Sequence, residues 1–194
     1  MRDKGIDYFE NTRRAAHVQQ CYAIDNPLKF NGYSARCWGI TASDGPGPDC
    51  IDINGVKRQF FSYIARGVPF GPDDGTIAPC AVVASLPFAP GIVIPSIEYF
   101  VRELHLKAHN PYGFKATFNA TYPAKCGNPC GVWVSSWHYG INQGPIVLMI
   151  ENYRSELLWR LTRRSPYIVS GLRGAGFEGG WLDNSPRPPT SLVT

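Results

Sequence analysis

The run from Gln143 to about Arg164 does most to limit what this chain can fold into. Ile146, Ile150, Tyr153, Leu157 and Leu161 recur at helical spacing on one side. Val147 and Leu158 make a second stripe, and Leu148 and Trp159 a third. A helix apolar on several sides is buried within a larger α-structure rather than lying on its surface. Asn142 suits its N-cap, and Pro145 falls in the first turn, where a missing N–H is tolerated.

Other helices follow from the same reading. Tyr8 to about Asn26 has a charged, polar face and no breaker before Pro27. Thr76 to about Leu86 reads as a helix with Thr76 as N-cap and Pro79 in its first turn. Pro90 to about Leu106 and Pro166 to Arg173 read as two more. Between them lie two long non-helical stretches, Leu28 to about Gly75 and His109 to Tyr139. The first holds Asn31-Gly32, Asp44-Gly45-Pro46-Gly47-Pro48 and Asn54-Gly55, all turn formers, and a short β-hairpin fits around Asn54-Gly55. With no βαβ unit and no strand repeat, the expected class is all-α, with helical hairpins and long loops gathered on one rim. Residues 1–182 are expected to form part of one domain, and 183–194, with Pro186, Pro188 and Pro189, a disordered tail.

Composition removes several classes. A net charge of +4 with only 18% charged residues is too mild to indicate nucleic acid. The basic run Arg160 to Arg164 is read as complementing the dipole at a helix C-terminus. No apolar run reaches the length of a membrane span, and the opening residues lack a signal-peptide core. Six cysteines include Cys126 and Cys130, spaced for a loop disulfide in an oxidising compartment. No second close pair supports zinc, so neither metal nor cofactor is expected. Asn119-Ala120-Thr121 has the form of a glycosylation acceptor. Aromatics at 13% suit sugar stacking as well as a core.

Four clusters can carry chemistry, each with a structural reading beside the functional one. Asp44, in a glycine-rich turn after Trp38, can accept sugar hydroxyl bonds or close an Asx-turn. Asp73 and Asp74 at a helix entrance suit capping as well as catalysis. Asn142 caps the apolar helix. Glu151, inside that helix, needs a partner such as Arg154, or else faces a cleft where burial tunes it for proton transfer. The four histidines show no triad or metal spacing.

Taken in order, Cys37-Trp38-Gly39-Ile40-Thr41-Ala42-Ser43-Asp44-Gly45-Pro46, Asp73-Asp74-Gly75-Thr76-Ile77-Ala78-Pro79, Ser85-Leu86-Pro87-Phe88-Ala89-Pro90 and Gln143-Gly144-Pro145 through Arg154 resemble the glucoamylase-like domain family, which includes endo-β-1,2-glucanases and a domain of cyclic β-1,2-glucan synthases. The resemblance runs from about Gly5 to about Phe177. It implies a six-hairpin (α/α) toroid, of which this chain would be the C-terminal portion, with the N-terminal half missing. It implies a glucan as partner, and hydrolysis by paired carboxylates with inversion, which sets an acid and a base roughly 6.5–9.5 Å apart around a water. On this reading Asp74, Glu151 and Asn142 hold the catalytic positions. Trp38, Asp44, Asp73, Phe70, Trp137, Tyr139 and Gln143 bind substrate, with Trp133 a further stacking candidate. A periplasmic or extracellular location is expected from the family. Asn142 replaces the Asp usual in the family, which removes a proton acceptor; smaller departures are Gly91, where an acid is common, and Glu156, where a small residue is common. A glucan-binding protein without catalysis is the alternative that Asn142 raises, and a glucan-processing domain of a cyclic glucan synthase is another.

Overall fold

The computed structural model describes residues 2–107, 110–123 and 131–185. β1 (Arg2–Asp3) and β2 (Ile6–Asp7) form a short hairpin leading into α1 (Tyr8–Asp25). β3 (Asp49–Ile53) and β4 (Val56–Phe60) form a second antiparallel hairpin. β5 (Thr76–Ile77), α2 (Pro79–Val83) and α3 (Pro90–Arg102) come next, followed by β6 (Phe118–Asn119) and β7 (Trp133–Val134). The chain continues through α4 (Gly140–Ser155), α5 (Leu157–Arg164) and α6 (Pro166–Gly174) to a 3-10 turn at Gly180–Leu182. It is thus helix-rich, but not all-α: β5, β6 and β7 make a three-stranded antiparallel sheet in that order.

Local chemistry explains most boundaries. Asp7 caps α1 by accepting from the Phe9 and Glu10 amides, and Asn26 ends it in a left-handed conformation just before Pro27. The β3–β4 turn has Asn54 and Gly55 both at positive φ (53° and 80°), the pattern of a type I′ hairpin. Helix α2 is shorter than expected. Thr76 and Ile77 leave the helix and pair with Asn119 and Phe118 of β6, a non-local pairing that overrides the Thr76 cap signal. The long helix expected from Gln143 to Arg164 is two helices, broken where Glu156 adopts a left-handed φ of 54°. Its first residue is capped by Tyr139, so Asn142 sits within the first turn and not at the cap.

A non-glycine residue in the left-handed region costs roughly 1–2 kcal/mol, a cost that only glycine escapes. Glu156→Gly is expected to raise stability by about 1 kcal/mol, a gain of roughly 2–4 °C in a thermal melt for a chain of this size. An unchanged or lower melting temperature would count against the strain at this position.

The core lies between α2, α3 and the three-stranded sheet. Trp38, Ile77, Val82, Val83, Val93, Phe100 and Phe118 are fully buried there, and Phe100 meets Phe114 and Phe118 edge-on, with ring centroids 6.1 and 5.4 Å away. Helix α4 departs most from expectation. Only Asn152 is buried along it, while Ile141, Val147, Leu148 and Tyr153, with Leu157 and Leu161 of α5, are exposed. The apolar sides read from the sequence are present, but this chain does not cover them. The tail expected from Asp183 is partly fixed: Asp183 accepts from the Gly179 amide, and Arg173 donates to the Ser185 carbonyl. Residues 186–194 lie outside the described residues. Among the described residues no helix is long and apolar enough to cross a membrane.

Candidate active-site rim

Five of the residues singled out from the sequence come together at the N-terminal end of α4. Asp44 is half-buried. Its Oδ1 accepts from Thr117 Oγ1 at 3.1 Å, and its Oδ2 accepts from Ser135 Oγ at 2.6 Å. Ser135 Oγ in turn accepts from the backbone amide of Trp137 at 3.2 Å, and the Trp137 carbonyl accepts from the Ala116 amide at 3.0 Å. The indole of Trp137 is 62% exposed, and Tyr139, two residues on, is also exposed. The Tyr139 carbonyl accepts from the amides of Asn142 and Gln143, opening α4. A carboxylate, two open aromatic rings and the first turn of a helix therefore line one rim. This is the combination a pyranose needs: a flat apolar face to stack on and an acceptor for its hydroxyls. Gln143 is less available than expected, because its Nε2 donates to the Phe114 carbonyl at 2.7 Å.

The loop carrying Asp44 rests on a buried ion pair. Asp74 is 0% exposed and faces Arg66 in a two-point contact, Nε to Oδ1 at 2.8 Å and Nη2 to Oδ2 at 2.7 Å. The amides of Phe61 and Thr76 also donate to the Asp74 carboxylate. Burial by itself would push the Asp74 carboxyl up. The Arg66 guanidinium and the Phe61 amide outweigh it, holding the group below the usual carboxylate range. Arg66 further donates to the carbonyls of Ser43, Phe61 and Ser62. Gly45 lies so close that an added Cβ would fall 2.2 Å from Arg66 Nη2 and 2.6 Å from the Phe61 carbonyl oxygen. Glycine at position 45 is thus required by this close approach. Asp74, read from the sequence as catalytic, is instead the anchor beneath the rim, fully buried where Asp44 is only half-buried.

The other expected residues are dispersed. Trp38 is 1% exposed and is core, not a stacking platform. Asp73 accepts from Tyr33 Oη at 2.7 Å, Tyr22 Oη at 3.0 Å and the Gly75 amide, tying α1 to the loop before β5. Burial first, and the Asp73 charge second, push the Tyr22 phenol up to about 12. Phe70 is 99% exposed on the loop preceding Asp73. Trp133 is half-buried and packs near Tyr122, with ring centroids 6.5 Å apart. Glu151 is partly exposed; Ser155 Oγ donates to it, and Arg154 Nη1 stands at 3.5 Å. It follows Asn142 by nine residues, two and a half turns, or about 13 Å along the axis and on the opposite side of the helix. Asn142 and Glu151 therefore do not flank one glycosidic bond.

Residues not singled out from the sequence complete the rim. Ser135 and Thr117 hold Asp44, and no local sequence rule marks either of them. His138 pairs through Nε2 with Asn110 Oδ1 at 3.1 Å and meets the Tyr112 ring edge-on. Burial and the nearby Lys115 hold its pKa below the ordinary histidine value. Asn119, the apparent glycosylation acceptor, is fully buried. Its Nδ2 is spent on the Asp74 carbonyl and Thr76 Oγ1, and its Oδ1 on the Thr121 and Tyr122 amides, so the folded chain offers no amide for a glycan. Among the described residues no cluster of His, Cys, Asp and Glu could hold a metal ion, and Cys21, Cys37, Cys50 and Cys80 are free thiols. The Cys126–Cys130 pairing lies outside the described residues.

Residues 1–166 match the family described as "Putative glucoamylase". The chain belongs to this family. Over 171 residues it is 33% identical to the exo β-1,2-glucooligosaccharide sophorohydrolase (non-reducing end) of Parabacteroides distasonis, covering 88% of this chain and 20% of that protein. Its fold superposes on a putative glucoamylase from Bacteroides uniformis with a TM-score of 0.76 and 35% identity, covering 93% of this chain and 38% of the other. It also superposes on the endo-β-1,2-glucanase of Chitinophaga pinensis, solved with sophorotriose and glucose, with a TM-score of 0.74 and 29% identity, again covering 93% and 38%. This family member therefore spans about a fifth of the curated relative and less than two fifths of these solved chains.

A second concavity of about 750 Å³ lies at the far end of α4, lined by Phe9, Phe88, Trp159, Asn152, Tyr153 and Glu156 among others. None of the catalytic or substrate-binding residues read from the sequence lines it. Its apolar walls continue the uncovered side of α4 and α5.

Proposed function

We propose that this family member contributes one rim of a glycoside hydrolase that cleaves β-1,2-linked glucan chains. The observation that carries the reading is the joining of the Asp44 carboxylate to the exposed Trp137 platform through Ser135, beside Tyr139 and the first turn of α4. Its similarity to a sophorohydrolase and to an endo-β-1,2-glucanase supports the substrate class. Sugar rings stack on Trp137 and Tyr139 while Asp44 accepts hydroxyl protons or activates water. In an inverting mechanism the second carboxylate stands roughly 6.5–9.5 Å away. No acid among the described residues is hydrogen-bonded into this rim besides Asp44. The second carboxylate is therefore assigned to polypeptide that the longer relatives carry outside the matched region. The same polypeptide, completing an (α/α) toroid, would cover the exposed side of α4 and α5. A periplasmic or extracellular setting suits a polymeric glucan.

The alternative is a glucan-binding protein without catalysis, favoured by Asn142, which cannot accept a proton. The test is reducing-sugar release from β-1,2-glucan, with the chain completed by the polypeptide of the Bacteroides uniformis relative outside the matched region. It would be run as found, as Asn142→Asp, and as Asp44→Asn. Release by the form as found supports the hydrolase; release only after Asn142→Asp supports the binding protein; silence in both, with no glucan binding, rejects the substrate class. Trp137→Ala is expected to weaken binding of β-1,2-gluco-oligosaccharides about tenfold, the loss of one stacking platform, as read by calorimetry. Unchanged affinity would remove Trp137 from the site.

A further inference from the structure

We infer that Ser135 is a positioning residue that couples the Asp44 carboxylate to the Trp137 platform, so that acid and platform are set as one unit. The inference rests on the proposed function and goes beyond it in making the Ser135 link a relay through which a change at Asp44 is felt at Trp137. Ser135 is 2% exposed, too deep to touch a polysaccharide. Its backbone is fixed by the Ser135 amide donating to the Thr117 carbonyl at 2.9 Å. Its hydroxyl has a single proton, committed to Asp44 Oδ2 at 2.6 Å, a short bond of the charge-assisted kind. The lone pairs left on the same oxygen receive the Trp137 amide at 3.2 Å. The three groups form one directed relay: the Trp137 N–H donates to Ser135 Oγ, and Ser135 O–H donates to Asp44. Bonds in such a chain polarise one another, so loss of the carboxylate at one end weakens the amide bond at the other. Thr117 gives a built-in comparison. It donates to the other carboxylate oxygen of Asp44 at 3.1 Å but makes no bond to the Trp137 amide.

A change at Asp44 should therefore be felt at Trp137, which it does not bond, and a change at Thr117 should be felt less. The substrate consequence is that a glucosyl unit stacked on Trp137 meets an acid whose position does not vary independently of the ring.

The experiment is amide hydrogen exchange on the full chain, with the α3 amides as a control for global opening. Exchange at the Trp137 amide is expected to rise about tenfold in Ser135→Ala, the loss of one hydrogen bond. It should rise several-fold in Asp44→Ala and stay within about twofold of the native rate in Thr117→Val, with α3 unchanged in all three. Native Trp137 exchange in Asp44→Ala overturns the relay, as does a rise in Thr117→Val equal to that in Ser135→Ala. Sophorotriose titrations followed by tryptophan fluorescence separate the two levels of the reading. Binding by the native chain that weakens several-fold in Ser135→Ala upholds both. Failure of the native chain to bind sophorotriose, with the exchange pattern intact, upholds the relay and rejects the substrate class. Equal binding by the native and Ser135→Ala chains rejects the role of Ser135 in the site.

Discussion

Asp74→Asn is expected to destabilise the fold by about 3–5 kcal/mol, the cost of leaving one partner of a buried ion pair uncompensated. Arg66 and Asp74 are both fully buried, so the Arg66 guanidinium cannot turn to water when its partner is neutralised. Asn keeps the shape and can still accept one bond, but it places an amide NH₂ where Arg66 now donates. The loss reads out as a lower urea midpoint with an unchanged slope. Arg66→Met combined with Asp74→Leu should cost less than the two single changes added together, because neither charge is then left alone. The same pair sets an acid limit. The Asp74 carboxyl lies lower in the folded chain than in the unfolded one, so its contribution is complete above the unfolded value, near 3.9, and is lost as pH falls toward the folded value. The native chain should therefore lose stability below roughly pH 4, and Asp74→Asn should lose less over the same interval. An Asp74→Asn chain within about 1 kcal/mol of native stability, yet inactive, would return Asp74 to the catalytic role read from the sequence.

Asp44→Asn should lower kcat/KM on β-1,2-glucan by roughly 10²–10⁴-fold in the completed enzyme, the range for removing a positioned acid or base. Most of that loss should fall on kcat. Asn keeps the size of the side chain and accepts one of the two hydroxyl bonds through its oxygen, while the other hydroxyl turns to accept from the new NH₂, so the loop stays in place and binding changes little. The contrast with Asp74→Asn is direct: one variant folds normally and is slow, the other is unstable. A fall confined to KM would make Asp44 a hydroxyl acceptor only, with the proton transfer carried elsewhere.

Much of the candidate rim is legible in the sequence because its residues carry local rules. Asn54-Gly55 marked a hairpin because two successive positive φ values suit this pair. Trp137, Tyr139, Asn142 and Gln143 lie within seven residues, so any fold that opens α4 after them gathers them. Asp44 was legible as an acid in a glycine-rich turn. Asp74 was misread because a lone Asp at a helix entrance looks the same whether it faces a cleft or Arg66, eight residues away in a loop without periodicity. Trp38 was misread because the sequence does not say which side of its loop meets α2. Ser135 and Thr117 carried no signal, since their role exists only where β6 and β7 bring the two hydroxyls to one carboxylate.

The sequence by itself determined the family, most of the helices, the turn of the second hairpin and the apolar character of α4, because propensity, caps and side-chain period act over a few residues. Tertiary structure decided which acid is buried and which is open, where the expected helices at Thr76 and Glu156 give way, and which hydroxyls hold Asp44. Those outcomes depend on desolvation and on partners brought together from 8 to 91 residues away along the chain. The net gain from each such pairing is set by a neighbour that no local stretch of sequence contains.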